Sequence, residues 1–261
     1  MYLSIFIKKI ILISILLFGF NQVIFSKDVY KTRILDSYFI LGFTENTPNN
    51  PNEDRVPEGN IRFGFESRMG KLFQDIYFRY EQNSLWCIGC ASAPFKSTDY
   101  MPRLFLRSKD GMVEYGWNHK SNGRGGGTVD NPDVDESSRV VDSWFMSLHL
   151  GEKIPENFSD FLTLNVNIEY NSWFNIGRYN SDINDYTGPW TFLLEFISEN
   201  WRLKNYGRKG KKGGLFKSEI IWHPNKDAWG WMCQYSSGYG EEIFNYNKNR
   251  TTTRCGVRFG G

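Results

Sequence analysis

Much of this chain is written in a two-residue period. Between Thr163 and Asn171, Leu164, Val166, Ile168 and Tyr170 alternate with Thr163, Asn165, Asn167, Glu169 and Asn171. Successive side chains of an extended strand point to opposite faces, so one face is apolar and the other wholly polar. The pattern recurs. Ile61, Phe63 and Phe65 alternate with Arg62, Gly64 and Glu66, and Val113, Tyr115 and Trp117 with Glu114, Gly116 and Asn118. Cys255, Val257 and Phe259 alternate with Arg254, Gly256 and Arg258. These segments predict antiparallel β-strands. A soluble sandwich would bury the apolar face and wet the polar one. A closed transmembrane β-barrel reverses this: the apolar set meets lipid, and Glu and Arg line a hydrated or hydrogen-bonded interior. The stretch Thr44 to Gly59, with three prolines, reads as a loop.

The first 26 residues break the period. Lys8 and Lys9 precede an apolar run from Ile10 to Phe20, followed by Asn21-Gln22 and by Ser26 before Lys27. A positive flank, a short apolar core and a small residue predict a cleaved signal peptide over residues 1–26. The barrel domain then occupies 27–261. The run is shorter than the roughly 20 apolar residues a spanning helix needs. Beyond it every apolar stretch is interrupted by charge or Asn.

Composition agrees with a barrel: 21 Phe, 14 Tyr and 9 Trp stand in a chain that is only 40% hydrophobic. A net charge of +2 names no partner and gives no reason to invoke nucleic acid. The basic segment Lys204, Arg208, Lys209, Lys211 and Lys212 reads as a solvated loop or a contact with anionic lipid headgroups. Export permits disulfides. Cys87 and Cys90 form a CxxC pair with no second pair to complete a zinc site, and read as ordinary residues at a strand end. Parity puts Cys255, and Cys233 beside Trp231 and Tyr235, on the lipid side. A cross-strand disulfide is open to them if their strands pair; two free thiols are the simpler reading.

Candidate chemistry begins with the three histidines. His149 and His223 read as structural or exposed. His119 closes the strand that began at Val113, so Trp117, His119 and Ser121 share its apolar face. An imidazole beside a hydroxyl can accept the serine proton, the activation a serine nucleophile needs. A triad also needs a group that orients the histidine. On the next strand, Val140 to Leu150, Asp142 shares a face with Trp144, Met146 and Leu148. If the two strands pair, Asp142 can reach the far nitrogen of His119.

The string His119-Lys120-Ser121-Asn122-Gly123-Arg124, preceded by Tyr115-Gly116-Trp117-Asn118, resembles the active-site motif of the outer membrane phospholipase A family. The resemblance continues through Ser92-Ala93-Pro94-Phe95, Tyr100 to Leu106, Ser138-Arg139, and Tyr235 to Asn247. It implies a barrel of twelve antiparallel strands in the bacterial outer membrane, with the active site on its outer wall. It implies calcium-dependent hydrolysis of phospholipid and lysophospholipid acyl esters by a homodimer. His119 would be base, Ser121 nucleophile and Asp142 the orienting group. Calcium would be held by backbone oxygens at Arg124 and Ser138 and by Ser92 of the partner subunit. Two features depart from the family. Asp142 stands where it usually has Asn. The longer loop 125–137 carries Asp130, Asp133, Asp135 and Glu136; an acidic solvated loop accounts for them more simply than a further cation site.

Two other functions compete with an enzyme. A non-catalytic barrel, a porin or structural protein, needs neither His119 nor Ser121. A soluble exported sandwich that binds sugar or protein needs no lipid-facing wall.

Overall fold

The computed structural model describes residues 32–46, 56–88, 95–122, 138–153, 163–224 and 229–260. The signal-peptide segment 1–26 lies outside them. Among the described residues thirteen strands form one antiparallel sheet: β1 (Thr32–Ile34), β2 (Ser37–Asn46), β3 (Val56–Lys71), β4 (Asp75–Cys87), β5 (Phe95–Arg107), β6 (Val113–Asn122), β7 (Val140–Lys153), β8 (Thr163–Ile176), β9 (Trp190–Ile197), β10 (Trp201–Lys209), β11 (Gly214–Trp222), β12 (Trp229–Tyr239) and β13 (Asn249–Phe259). Each of β2 to β13 pairs with its chain neighbours, and β13 pairs back onto β2. The result is a closed twelve-stranded barrel. The short β1 pairs with β3 beyond the end of β2, with Leu35 and Asp36 between them. Closure pairs β2 with β13 and so removes the long open edge that lipid cannot tolerate. No described helix is long and apolar enough to cross a membrane.

The alternation read from the sequence is the inside–outside code of this barrel. Along β12, Trp229, Trp231, Cys233 and Tyr235 are exposed on the outer wall, while Met232, Gln234 and Ser236 are buried inside. The soluble sandwich is thereby excluded, because the apolar set faces outward. The loop expected over Thr44 to Gly59 is shorter than read: β2 runs to Asn46 and β3 starts at Val56. Pro57 lies in β3 opposite Phe43. A proline near a strand's start removes only one ladder bond.

The interior is a network of ion pairs. Glu58 on β3 is fully buried and accepts hydrogen bonds from Thr44 Oγ1 at 3.0 Å, Arg250 Nη2 at 2.6 Å and Arg254 Nη2. Glu241 and Glu242 hold the other faces of the same arginines, at 2.6 Å from Arg254 Nη1 and 2.7 Å from Arg250 Nη1. Removing one partner of a buried pair leaves an uncompensated charge, at a cost of about 3–5 kcal/mol. Glu58→Ala is therefore expected to lower the denaturation midpoint sharply, and Glu58→Gln less so, since the amide oxygen still accepts from one arginine. Urea titration of the heat-modifiable folded band on unboiled gels measures both. Equal midpoints for wild type and Glu58→Ala would show that the network is dispensable.

The same network corrects the reading of the basic segment. Lys204 pairs inside the barrel with Asp36, and Arg208 Nη2 donates to the Gly240 carbonyl. Only Lys209, Lys211 and Lys212 are exposed, at the tip of the β10–β11 hairpin. Parity decides this, because every second residue of a strand must point inward.

Cys233 and Cys255 are directly opposed in the β12–β13 ladder, with Cα atoms 4.1 Å apart, and form a disulfide. The reading as free thiols is thus corrected: strand pairing brought the two together on the outer wall, where parity had placed each. Cys87 is also disulfide-bonded, so it is not an ordinary strand-end residue.

Candidate active site

Strand β6 carries the first two groups. His119 and Ser121 point to the outer wall, and His119 Nε2 lies 2.9 Å from Ser121 Oγ. The inward residues between and around them are tied down. Lys120 Nζ is 2.9 Å from the buried carboxylate of Asp99, and Asn122 Oδ1 accepts from the Arg139 amide at 2.6 Å. The β5–β6 ladder has a gap opposite His119 and Lys120, where Met101 and Pro102 stand on β5. Proline has no N–H to contribute there.

Strand β7 supplies the third group. The register pairs His119 with Asp142 and Ser121 with Val140. His119 Nδ1 lies 2.8 Å from Asp142 Oδ1, so the ring bridges the serine and the carboxylate. A carboxylate on Nδ1 selects the tautomer whose Nδ1–H donates to it, and leaves Nε2 free to accept the Ser121 hydroxyl proton. The Trp117 indole also donates to Asp142 Oδ1, at 3.2 Å, and its ring centroid is 5.8 Å from that of His119. All three sequence-selected residues therefore converge, and they do so on the outer face, between Trp144 and the loop end of the barrel.

One contact was not anticipated. Asn175 on β8 donates from Nδ2 to Asp142 Oδ2 at 2.6 Å. No alternation in the sequence announces it, because Trp173 and Phe174 could each face either way.

An apolar cluster backs this wall from inside, beside an interior cavity of about 160 Å³. Val141, next to Asp142, packs with Ile183, Ile243 and Tyr246, against which Trp173, Ile176 and Tyr186 lie. Ile183 belongs to a short helix, α1 (Ile183–Thr187), and Ile243 and Tyr246 to the segment between β12 and β13. The Ile243 amide donates to Asp99 Oδ2 at 2.9 Å, which ties that segment to the wall bearing Lys120. Loops folded into the barrel thus back the site from inside. A further interior cavity of about 250 Å³ lies among Arg62, Arg103, Lys204, Lys217 and their carboxylate partners. Such an interior suits a plugged barrel better than a pore.

Of the expected calcium positions, Arg124 and Ser92 lie outside the described residues, as does the acidic loop 125–137. Ser138 is described. It is exposed, just before β7, and its Oγ donates to the Asn122 carbonyl at 3.2 Å. It therefore sits at the loop end of the β6–β7 pair, two residues before the partner of Ser121. No cluster of three acidic, His or Cys side chains able to hold a metal occurs among the described residues. Backbone and hydroxyl oxygens, the donors expected here, suit a hard cation such as calcium. The other histidines stay away from the site: His149 Nε2 lies 3.5 Å from Glu114, and His223 Nε2 is 3.2 Å from Arg258.

Residues 44–259 match the family model of phospholipase A1. The chain belongs to the phospholipase A1 family. The phospholipase A1 of Salmonella typhimurium is 29% identical over 192 residues, 68% of this chain and 60% of its own. That of Escherichia coli K12 is 28% identical over the same shares. The chain thus spans about 60% of the length of these curated relatives. Among solved structures, the calcium-bound dimer of outer membrane phospholipase from Salmonella typhi superposes with a TM-score of 0.69. The match covers 86% of this chain and 90% of that one at 21% identity, which establishes the shared fold. The barrel is accordingly of the bacterial outer-membrane type found in phospholipases of this family.

Proposed function

We propose that this protein hydrolyses acyl ester bonds of phospholipids and lysophospholipids in the outer membrane, through an acyl-serine intermediate and with calcium. The observation that carries this reading is the unbroken contact chain from Ser121 through His119 to Asp142 on the lipid-facing wall. Ser121 Oγ attacks the ester carbonyl as its proton passes to His119 Nε2. The Asp142 carboxylate holds the resulting imidazolium, which then protonates the departing alkoxide. A water activated by the same histidine releases the fatty acid and restores the serine. Support for a lipid substrate comes from position: the groups lie on the outer wall, and the apolar cluster around Val141 and Ile183 stands between them and the interior. A non-catalytic barrel would have no use for three polar side chains aligned on a lipid-facing stripe.

Calcium would be held by main-chain oxygens at Arg124 and Ser138, with Ser92 of the partner subunit completing the set. Bound there, it would supply positive charge beside the developing oxyanion. A homodimer is supported by the outer wall next to the site. Gln82 accepts from Tyr80 OH at 3.0 Å and donates to Ser84 Oγ at 3.3 Å, and Thr98 Oγ1 donates to Ser84 Oγ at 3.1 Å. This polar ladder stands among Phe63, Phe65 and Leu104, facing outward. Lipid gives no hydrophobic drive for association, so polar contacts and close packing must supply it.

The test is fatty-acid release from mixed micelles by refolded protein, in a calcium titration run beside chemical crosslinking. Chelation is expected both to stop hydrolysis and to shift the protein toward monomer. Ser92→Ala is expected to raise the calcium needed for half-maximal activity while the folded band is kept. Full activity of a demonstrated monomer in excess chelator would refute the calcium-coupled dimer.

A further inference from the structure

Strand β8 makes an irregular step opposite the catalytic candidates. Asp142 pairs with Asn175 but Ser143 pairs with Trp173, so Phe174 is an extra residue in the ladder. Before the bulge, Tyr170, Ser172 and Phe174 face outward, and Trp173 packs inward against Val141 and Ile183. Unbroken alternation would send Asn175 inward, into that apolar cluster. Instead Phe174 and Asn175 both emerge on the outer wall, and Ile176 returns to the cluster. A β-bulge beside a site commonly re-aims one side chain in this way. Here the re-aimed side chain is an exposed amide on a membrane-facing wall, and it ends on Asp142 Oδ2 at 2.6 Å.

We propose that Asn175 is a positioning residue, which the bulge at Phe174 delivers to Asp142 so that Oδ1 stays directed at His119. This inference rests on the catalytic reading of Ser121, His119 and Asp142. The terminal torsion of a carboxylate is soft, so one hydrogen-bonded oxygen does not fix its plane. Oδ1 takes His119 and Trp117; Oδ2 takes Asn175. The three donors come from two different strands and together over-determine the carboxylate orientation. The arrangement also accounts for how Asp142 can stand where the resembling family has Asn. An asparagine side chain at 175 can turn its amide to present either donor or acceptor. It therefore matches a carboxylate through Nδ2–H, and would match an amide at 142 through its oxygen.

The inference makes the pair exchangeable. With Asn at 142 and Asp at 175, the amide oxygen would accept from His119 and Trp117 while its NH₂ donates to the carboxylate at 175. The experiment compares wild type, Asn175→Ala, Asn175→Asp and the double variant Asp142→Asn/Asn175→Asp. It measures kcat and KM on micellar phospholipid at saturating calcium, with folding checked by the heat-modifiable band. Asn175 is exposed, so its variants are expected to fold. Asn175→Ala is expected to lose kcat by about ten- to a hundredfold, the worth of one hydrogen bond to a charged group, with KM unchanged. Asn175→Asp should lose more, because two carboxylates then face each other. The double variant should regain about tenfold over Asn175→Asp, an interaction that independent sites do not show. Wild-type kcat in Asn175→Ala, or a double variant no better than Asn175→Asp, would overturn the inference and leave the catalytic reading standing. A wild type that releases no fatty acid, or a Ser121→Ala protein that matches it, would remove the catalytic reading and this inference with it.

Discussion

Ser121→Ala is expected to lose hydrolysis by about 10⁴-fold or more while the barrel stays folded. The size follows from what the side chain does: without Oγ no acyl-enzyme forms, and only binding and fixed electrostatics remain to assist water. The folded state is spared because Ser121 is a strand-end residue on the outer wall whose side-chain partner is His119. Alanine leaves the β5–β6 and β6–β7 ladders intact, since both are main-chain bonds. Fatty-acid release by purified protein, normalised to the folded band on unboiled gels, provides the measurement. Substantial residual release would remove Ser121 from the nucleophile's role, whatever the fate of the calcium site.

The second large effect is expected at Asp142. Asp142→Ala should lower kcat by roughly 10⁴-fold, the size seen when a triad loses its orienting carboxylate. It removes the acceptor that sets the His119 tautomer and strands the Trp117 and Asn175 donors at the same time. Asp142→Asn should retain far more. The amide oxygen can still accept from His119 Nδ1 and from Trp117, although it no longer stabilises imidazolium by charge. Steady-state kcat for the two variants separates orientation from charge. If Asp142→Ala turned over at the wild-type rate, the orienting group would lie elsewhere.

The parts of the molecule legible in the sequence are those governed by parity. Leu164, Val166, Ile168 and Tyr170 had to share a face, and lipid on one side made that face apolar over many strands. The same rule put His119 beside Ser121, because residues two apart on a strand must point together. It could not supply partners distant in the chain. Glu58 meets Arg250 and Arg254 across sequence separations of 192 and 196, and nothing near Glu58 announces either arginine. Nor could parity fix the Cys233–Cys255 pair. Each was assigned to the outer wall, but which residues face each other depends on the register of β12 and β13 across a long connection that folds inward. The bulge at Phe174 was hidden for a related reason. In the run Trp173-Phe174-Asn175-Ile176 the two aromatics could each face either way, and only the packed cluster around Ile183 decides that Trp173 turns in. Asn175 was thus missed although Asp142, its partner, was found.

The candidate groups open through the outside of the cylinder, and its bore carries the ion-pair network and the inward segment between β12 and β13. On the proposed function, a lipid would reach Ser121 by sideways travel within its own leaflet, without passing through water. The relevant abundance is the mole fraction of substrate in the surface, and bulk dilution at fixed composition should leave the rate unchanged. Turnover would then draw on two-dimensional traffic: acyl esters drifting against β6 and β7, and the detached fatty acid and lysolipid dispersing among their neighbours.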